Sequence, residues 1–398
     1  MSLFNRLAIS ATLAFSSVLV AGEIAAQFGD NIQLRGSLAN SRLQFERAKK
    51  GRVAFIGGSI TEMNGFRPMV CERLKKRFPD SAFTFIDAGI ASTCSTTGVF
   101  RLETDVLAKG PIDLFFVEFA VNDDQDAAHT REECIRGMEG IVRHARRSNP
   151  NMDIVLTFFV NEGMLKKLQG GQTPLTIEAH EAVAKHYQIS TINLAKEVAE
   201  EITAGKLTWE KYGGVHPAKF GNEICASMID ELFNRAWREP LGNDAALTAH
   251  PSPMQPLDAF NYERGRFIDP KQAQIKNGWT LEVPDWKKLA GQKRGRFTSI
   301  PMLCASEPGA EAVLEFEGSA IGAYVVAGPD AGVMNARIDD GGAQALNLYH
   351  HFSAGLHYPR TVMFAADLKP GKHTLTLRIA DETKSAGHAA RVMWFVGN

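Results

Sequence analysis

Between residues 51 and 240, short apolar runs alternate with segments in which apolar side chains recur every three or four positions. The runs that predict buried strands are 52–56, 83–87, 114–119, 154–160 and 191–194. The segments between them predict helices over 66–78, through Ile135 to His144, and over 175–186 and 218–237. This alternation is typical of a parallel sheet covered by helices on both faces, so it predicts an α/β domain.

The pattern changes after Pro240. Residues 241–270 contain several prolines and show little periodicity, which indicates a linker or a packed loop. From residue 271 onward, short runs of alternating apolar and polar residues are separated by glycine-rich turns, with no helical period. These runs are 312–316, 321–326, 335–338, 373–379 and 392–396. Their spacing predicts an all-β sandwich over 271–398.

The first 26 residues form a separate segment. A short polar start with one positive charge precedes an uncharged apolar run over 7–21, and small residues follow it. This layout predicts a secretory signal peptide over 1–26, cleaved after Gly22 or Ala26, and hence a secreted or periplasmic protein. An uncleaved anchor is the alternative. Elsewhere no run reaches the roughly 20 apolar residues of a membrane helix, so stable membrane insertion is not expected.

Composition narrows the class of protein. The chain has 398 residues, of which 44% are hydrophobic and 22% charged, which is typical of globular proteins and not of disordered ones. The formal net charge is −1, which argues against nucleic-acid binding. The five cysteines are widely spaced and include no CxxC, so they predict neither a disulfide framework nor a zinc site. We expect buried thiols, with one bridge left open.

Residues 57–61 (GGSIT) follow the first predicted strand and precede the first predicted helix. Ser59 would therefore lie at the carboxyl end of a parallel strand, where open α/β sheets bind ligands. A helix-capping serine or a phosphate-binding turn is the alternative. The chain has neither the Gly-Lys-Ser/Thr of a Walker loop here nor the GxSxG of α/β-hydrolases.

Two further residues end neighbouring strands of the predicted sheet. Gly89 closes the second strand, and Asn122 follows the third. If the sheet is parallel, the N–H groups of Ser59 and Gly89 and the Asn122 amide converge as an oxyanion hole. Each of these residues alone is more often simply part of a turn.

His216 lies immediately before the last predicted helix and would also reach this edge of the sheet. Histidine is the natural base for a serine hydroxyl, and Pro217 restricts the backbone that carries the imidazole. As an isolated pair, His-Pro is more often a surface loop or a helix start.

In this order, the four motifs resemble the four sequence blocks of the SGNH (GDSL-like) hydrolase family, over about residues 50–240. The resemblance implies a flavodoxin-like three-layer α/β/α sandwich. It also implies that Ser59 is the nucleophile, that His216 is the base, and that Ser59, Gly89 and Asn122 are the oxyanion donors. No metal or organic cofactor is implied.

The sequence departs from the family pattern at two positions. The serine block reads Gly-Gly-Ser in place of Gly-Asp-Ser, which does not touch the chemistry. The family usually has an aspartate three residues before the histidine, where this chain has Gly213. Three interpretations remain open. A backbone carbonyl orients His216 in a Ser-His dyad, a carboxylate such as Asp123 or Glu210 arrives from elsewhere, or catalysis is weak.

Glu118 lies inside an apolar strand just before Asn122. Because a buried carboxylate is costly without a partner, we expect a hydrogen-bonded structural anchor near the site, with Arg101 as a candidate partner. The histidines His350, His351 and His357 form no recognised metal-ligand spacing, and we expect them at the surface or in loops.

Serine, histidine and an oxyanion hole together perform acyl transfer through an acyl-enzyme. The family resembled here includes carbohydrate acetylesterases, lipases and thioesterases. Two features favour removal of acetyl groups from an acetylated polysaccharide or oligosaccharide. One is the predicted export, and the other is the C-terminal sandwich, which resembles the jelly-roll or galactose-binding-like modules of carbohydrate-active enzymes. The alternatives are a lipid or short-chain ester hydrolase, or a catalytically impaired carbohydrate-binding protein. Candidate sugar-stacking residues, which belong to the core in the other interpretation, are Trp279, Trp286, Tyr324 and Tyr349.

Overall fold

The computed structural model describes residues 28–398, so the predicted signal peptide lies outside the described part. The helices are α1 (Ala39–Glu46), α2 (Ser59–Glu62), α3 (Phe66–Arg77), α4 (Ser95–Asp105), α5 (Ala120–Gln125), α6 (Arg131–Ser148), α7 (Glu162–Gln169), α8 (Leu175–His186), α9 (Leu194–Thr203), α10 (Trp209–Tyr212) and α11 (Lys219–Ala236). Over this range no helix is both long enough and apolar enough to cross a membrane.

The strands fall into an N-terminal and a C-terminal group. The N-terminal strands are β1 (Ile32–Gln33), β2 (Lys50–Gly57), β3 (Ala82–Gly89), β4 (Leu114–Glu118), β5 (Asp153–Thr157) and β6 (Ser190–Ile192). The C-terminal strands are β7 (Arg266–Ile268), β8 (Gln274–Asn277), β9 (Thr280–Glu282), β10 (Met302–Ala305), β11 (Glu311–Gly318), β12 (Ile321–Ala327), β13 (Val333–Ile338), β14 (Gln344–Asn347), β15 (Tyr358–Ala365), β16 (Gly371–Ile379) and β17 (Ala390–Gly397).

The N-terminal strands form one sheet in the order β1-β6-β5-β4-β2-β3. Strands β2 to β6 are parallel, and only the short edge strand β1 runs antiparallel to its neighbour. The five parallel strands therefore follow the flavodoxin-like order, which reverses between β2 and β4. Helices pack against both faces, and the predicted α/β/α fold is confirmed. That reversal point is where such sheets bind ligands.

Aromatic packing explains why β2 and β4 lie at the centre. Phe55 and Phe116 stack with ring centroids 4.8 Å apart on the face that α3 and α11 cover. Phe66 from α3 and Phe233 from α11 complete this layer with edge-on contacts. Both central strands are buried on both faces, which fits their continuous apolar sequences.

The C-terminal strands form two antiparallel sheets, in the orders β15-β12-β17-β10-β9, with β7 paired to β17, and β14-β13-β16-β11-β8. The predicted all-β architecture is confirmed. The sequence pattern missed β15 because Pro359 and Arg360 interrupt it. A proline is tolerated there because β15 is an edge strand, where a missing N–H leaves no ladder bond unmade. Strands β8 and β9 were missed because both are almost entirely exposed.

Residues 241–265 run along helix α6 in contact with it. Arg136 forms an ion pair with Asp258 at 2.7 Å, and Arg146 donates to the Pro251 carbonyl at 2.6 Å. The two domains also share one continuous apolar cluster, in which Phe297 and Tyr324 pack with the core of the α/β domain. The sandwich is thus packed firmly against the α/β domain.

The five cysteines are all free, and four of them are buried, as expected for small apolar side chains. Cys304 is half-buried. The disulfide that the sequence left open is therefore not formed in this structure.

Candidate active site

Ser59 begins helix α2, directly after strand β2 ends at Gly57. The two glycines that precede it are required by close packing. A Cβ at Gly57 would lie 2.1 Å from the Thr61 hydroxyl oxygen, and one at Gly58 would lie 1.9 Å from Asn122 Oδ1. The Gly-Gly-Ser sequence therefore lets the Asn122 amide lie against the backbone that carries Ser59.

The structure brings the predicted nucleophile and base together. His216 lies in the loop between α10 and α11, and its Nε2 is 2.8 Å from Ser59 Oγ. This is hydrogen-bond distance, as proton transfer from a serine hydroxyl requires. His216 is exposed, so its other ring nitrogen can be hydrated.

Asn122 lies in the first turn of α5, immediately beyond the end of β4, and is only 2% exposed. Its Nδ2 donates to Asp126 Oδ2 at 2.9 Å, which leaves its second amide hydrogen for another acceptor. As the first residue of a helix, Ser59 also has no intrahelical acceptor for its N–H. Ser59 and Asn122 thus each offer a donor at this edge of the sheet, and their oxyanion role stays a prediction.

Gly89 is in register with Gly57 on the neighbouring strand. A Cβ at Gly89 would lie 2.3 Å from the Glu62 backbone nitrogen, so the glycine permits close approach of α2. Its own N–H donates to Asp87 Oδ1 at 3.0 Å. The oxyanion role of Gly89 stays a prediction, and it requires this N–H to leave Asp87.

The structure limits the ways in which His216 can be oriented. Within residues 28–398, no carboxylate lies within ion-pair distance of His216, which excludes both Asp123 and Glu210 in this conformation. Asp123 is fully buried and bonds other partners, and Glu210 lies exposed on α10. A Cβ at Gly213 would lie 2.0 Å from the Ala218 backbone nitrogen, so this backbone has no room for the family's aspartate.

Asp123 instead stabilises the start of helix α4 through hydrogen bonds. It accepts hydrogen bonds from the Ser95 N–H and hydroxyl, both at 2.7 Å, and His180 Nε2 lies 2.9 Å away. Burial would raise the pKa of Asp123, but the charge of His129 and the hydrogen bonds from His129 and His180 hold it well below its usual range. The carboxylate is therefore ionised and engaged in holding the fold.

Two groups of side chains around Asp123, buried apart from the half-buried His129, have the donor types of a metal site, with ligand atoms within 4.8 Å of one another. They are Cys94, Asp123 and His129, and Asp123, Cys134 and His180. Ser95 and His180 already occupy the carboxylate oxygens that both groups would need. The present contacts are those of a structural hydrogen-bond network.

Glu118 ends strand β4, in register with Gly57 on the neighbouring strand, and is buried. The Thr61 hydroxyl donates to its Oε2 at 3.2 Å, so the predicted hydrogen-bonded anchor is confirmed. Burial raises the pKa of Glu118 to about 8. The prediction that Arg101 is the partner of Glu118 was wrong. Arg101 donates to the carbonyls of Gly57 (3.0 Å) and Ala88 (2.6 Å) and so joins the ends of the two strands.

We expect Glu118→Gln to flatten the pH dependence of stability between about pH 5 and pH 8. The folded protein keeps a proton on Glu118 up to about pH 8, whereas the unfolded chain loses it near pH 4.5. The wild-type free energy of unfolding should therefore fall as pH rises through this window, by up to about 1.4 kcal/mol per pH unit. Urea unfolding of both proteins at pH 5, 6, 7 and 8 measures this. If the free energies of unfolding of the two proteins changed in parallel with pH, Glu118 would not titrate between pH 5 and pH 8.

Two arginines of the C-terminal part hold the loop that follows β3. Arg294 donates to the Ala91 carbonyl at 2.6 Å and to the Ser92 hydroxyl at 2.9 Å. Arg296 forms an ion pair with Glu62 of α2 at 2.8 Å. Ser92 has φ = +68°, a left-handed conformation that non-glycine residues rarely adopt. These contacts were missed because nothing local in the sequence links residues about 200 positions apart.

The candidate aromatic residues of the sandwich lie wholly or partly inside it, whereas His351 is exposed, as expected, and His350 is half-buried. Trp279 and Tyr324 are buried and therefore belong to the core, whereas Trp286 and Tyr349 are half-buried. His357 lies in a loop as expected, but it is buried, with Nε2 2.8 Å from the Ala290 carbonyl.

Comparison with known proteins agrees with this architecture. Residues 55–224 match the model of the GDSL-like lipase/acylhydrolase family. Two crystal structures of a two-domain esterase active on acetylated mannans, one of them co-crystallised with mannopentaose, superpose with a TM-score of 0.75. They are 22% and 23% identical in sequence, and each match covers 92% of this chain and 96% of theirs.

An acetylxylan esterase from Geobacillus stearothermophilus matches with a TM-score of 0.35 and 19% identity, over 47% of this chain and 93% of its own. Comparison with curated protein sequences gave no match. The two-domain likeness shows that both parts of the fold, the α/β domain and the sandwich, occur together in a solved structure. Residues 55–224 are thus similar to the GDSL-like lipase/acylhydrolase family, and the chain shares the two-domain fold of a solved esterase.

Proposed function

We propose that this protein removes acetyl groups from an acetylated polysaccharide or oligosaccharide, with Ser59 as nucleophile and His216 as base. The observation that carries the proposal is the 2.8 Å contact between Ser59 Oγ and His216 Nε2 at the reversal point of the parallel sheet. The two-domain likeness to an esterase active on acetylated mannans supports a carbohydrate ester as substrate.

The residues present account for each step of the reaction. His216 Nε2 takes the Ser59 proton as Oγ attacks the carbonyl carbon of the ester. The oxyanion that forms accepts hydrogen bonds from the Ser59 N–H and from Asn122 Nδ2. His216 then gives the proton to the departing sugar hydroxyl, which leaves an acetyl-enzyme on Ser59. Water, activated by His216, attacks this ester and releases acetate.

The proposed base works without a carboxylate partner. A triad carboxylate holds the imidazole in the required tautomer, and its loss can cost several powers of ten in rate when the wrong tautomer results. Here Pro217 restricts the backbone of His216, and water can hydrogen-bond to Nδ1 of this exposed side chain. We therefore propose a Ser-His dyad.

We also propose that the protein acts outside the cytoplasm. The basis is the charged start, apolar run and small residues within residues 1–26. An acetylated polysaccharide would meet the enzyme in that location.

The test is acetate release from acetylated mannan, acetylated xylan and a short-chain triglyceride, with wild type beside Ser59→Ala. We expect release from at least one polysaccharide, at a higher rate per ester than from the triglyceride, and none above background with Ser59→Ala. The exposed Ser306 of the sandwich gives the matched control, Ser306→Ala, which should behave as wild type.

Two outcomes would overturn the proposal. Equal or faster hydrolysis of the triglyceride would favour a general ester hydrolase. Wild-type protein that releases no acetate and does not hydrolyse aryl acetates would favour a carbohydrate-binding role with an inactive hydrolase domain.

A further inference from the structure

We propose that Tyr358 of the sandwich is a positioning residue for ester hydrolysis, which acts through Asp126 on the oxyanion asparagine, Asn122. The Tyr358 hydroxyl donates to Asp126 Oδ1 at 2.7 Å, and Asn122 Nδ2 donates to Asp126 Oδ2 at 2.9 Å. One carboxylate therefore connects a side chain of the C-terminal domain to the catalytic site. This inference rests on the proposed function.

The chemistry of the carboxylate fixes the orientation of the Asn122 amide. An ionised carboxylate only accepts hydrogen bonds, so it selects the orientation in which the Asn122 amide nitrogen faces Asp126. The opposite orientation would place two oxygens against each other. In the selected orientation, Asn122 Oδ1 lies against Gly58, and the second hydrogen on Nδ2 is free for the oxyanion.

Tyr358 is well placed to hold the carboxylate. It is 1% exposed, and its ring stacks on that of His350 with centroids 4.5 Å apart. Burial and the nearby Asp126 charge raise the pKa of Tyr358, so the hydroxyl keeps its proton and remains a donor. The Ser92 carbonyl is a longer contact at 3.4 Å, so Asp126 is the main acceptor.

Strand β15, which carries Tyr358, is itself fixed against the α/β domain. The hydroxyl of Thr361 on the same strand lies 2.9 Å from that of Thr97 on α4. The phenol is therefore held in place by packing between the domains. Without its hydroxyl, Asp126 Oδ1 loses its short hydrogen bond. The contacts to Oδ2, from Asn122 at 2.9 Å and from Gln125 Nε2 at 3.3 Å, are then left to orient the carboxylate, so its hold on the Asn122 amide weakens.

The test is a double-mutant cycle between Tyr358→Phe and Asn122→Ala, with aryl acetate hydrolysis as the readout. Removal of one oxyanion donor typically lowers kcat by about 10²–10³. Loss of its positioning should cost less, so we expect Tyr358→Phe to lower kcat about tenfold with KM little changed. In the Asn122→Ala background, Tyr358→Phe should have no further effect, because the group that it positions is gone. Tyr187→Phe is the matched control, because it removes a buried tyrosine hydroxyl that donates at the same distance, 2.7 Å, to a different carboxylate, that of Glu139.

A second readout does not depend on activity. In ¹⁵N–¹H spectra, the side-chain amide signals of Asn122, identified by their loss in Asn122→Ala, should shift or broaden in Tyr358→Phe and stay unchanged in Tyr187→Phe. Unchanged Asn122 signals, an unchanged kcat, or an equal loss of rate in both backgrounds would overturn the inference. If wild type is inactive, the proposed function fails, and the amide signals still decide the positioning role.

Discussion

Alanine at Ser59 and alanine at His216 each lower kcat by at least about a thousandfold, and the double variant is no slower than either single variant. A nucleophile and its base act as one unit, so removing either abolishes the attack that both perform. The remaining rate over water comes from the oxyanion donors and from substrate binding. Steady-state kinetics on aryl acetates, at substrate concentrations that separate kcat from KM, measure all three variants.

The half-buried His388 of the sandwich provides the control, because His388→Ala removes an imidazole away from Ser59. A His216→Ala variant that keeps wild-type kcat while Ser59→Ala is inactive would place the general base elsewhere. If the losses of kcat in the two single variants multiply in the double variant, the two groups act independently. Either result would contradict the dyad.

The part of the site that was predicted from sequence depends on one geometric rule. The carboxyl ends of parallel strands meet at the same edge of a sheet, so residues that follow β2 and β4 must be neighbours. This rule brings Ser59 and Asn122 together, and the Gly58–Asn122 contact is its direct result. The anchoring role of Glu118 followed from a similar argument, because a carboxyl group inside an apolar strand needs a partner.

The partners that could not be predicted are long-range and have no local signature. Arg101 donates to two strand-end carbonyls and pairs with Asp105 instead of Glu118, because the several donors of one guanidinium group can join backbone oxygens and a nearby carboxylate at once. Tyr358 reaches Asp126 across 232 positions of sequence. Its strand, β15, was missed because Pro359 breaks the alternating pattern. The contact that the sandwich makes with Asp126 could therefore not be predicted from the sequence.

The reason why residue 213 is a glycine, where the family usually has an aspartate, could be found only from the backbone geometry. Gly213 ends helix α10 with φ = +107°, and the Ala218 N–H donates to the Tyr212 carbonyl across the turn at 2.9 Å. This tight turn brings the Ala218 nitrogen into the space that a Cβ at Gly213 would occupy. The loop that presents His216 is thus built around a glycine, and a carboxylate cannot simply be added to it.

Gly213→Asp should therefore lower both stability and activity instead of restoring a triad. A left-handed backbone costs a non-glycine residue about 1–2 kcal/mol, and overpacking adds about 1–3 kcal/mol, so we expect the free energy of unfolding to fall by about 2–5 kcal/mol. Gly214→Asp is the matched control, because Gly214 has φ = +76° but nothing within 4 Å of its Cβ position. It should lose only about 1–2 kcal/mol. Urea unfolding and kcat on aryl acetates test both variants, and a Gly213→Asp protein with higher kcat and wild-type stability would show that the loop accepts a triad carboxylate.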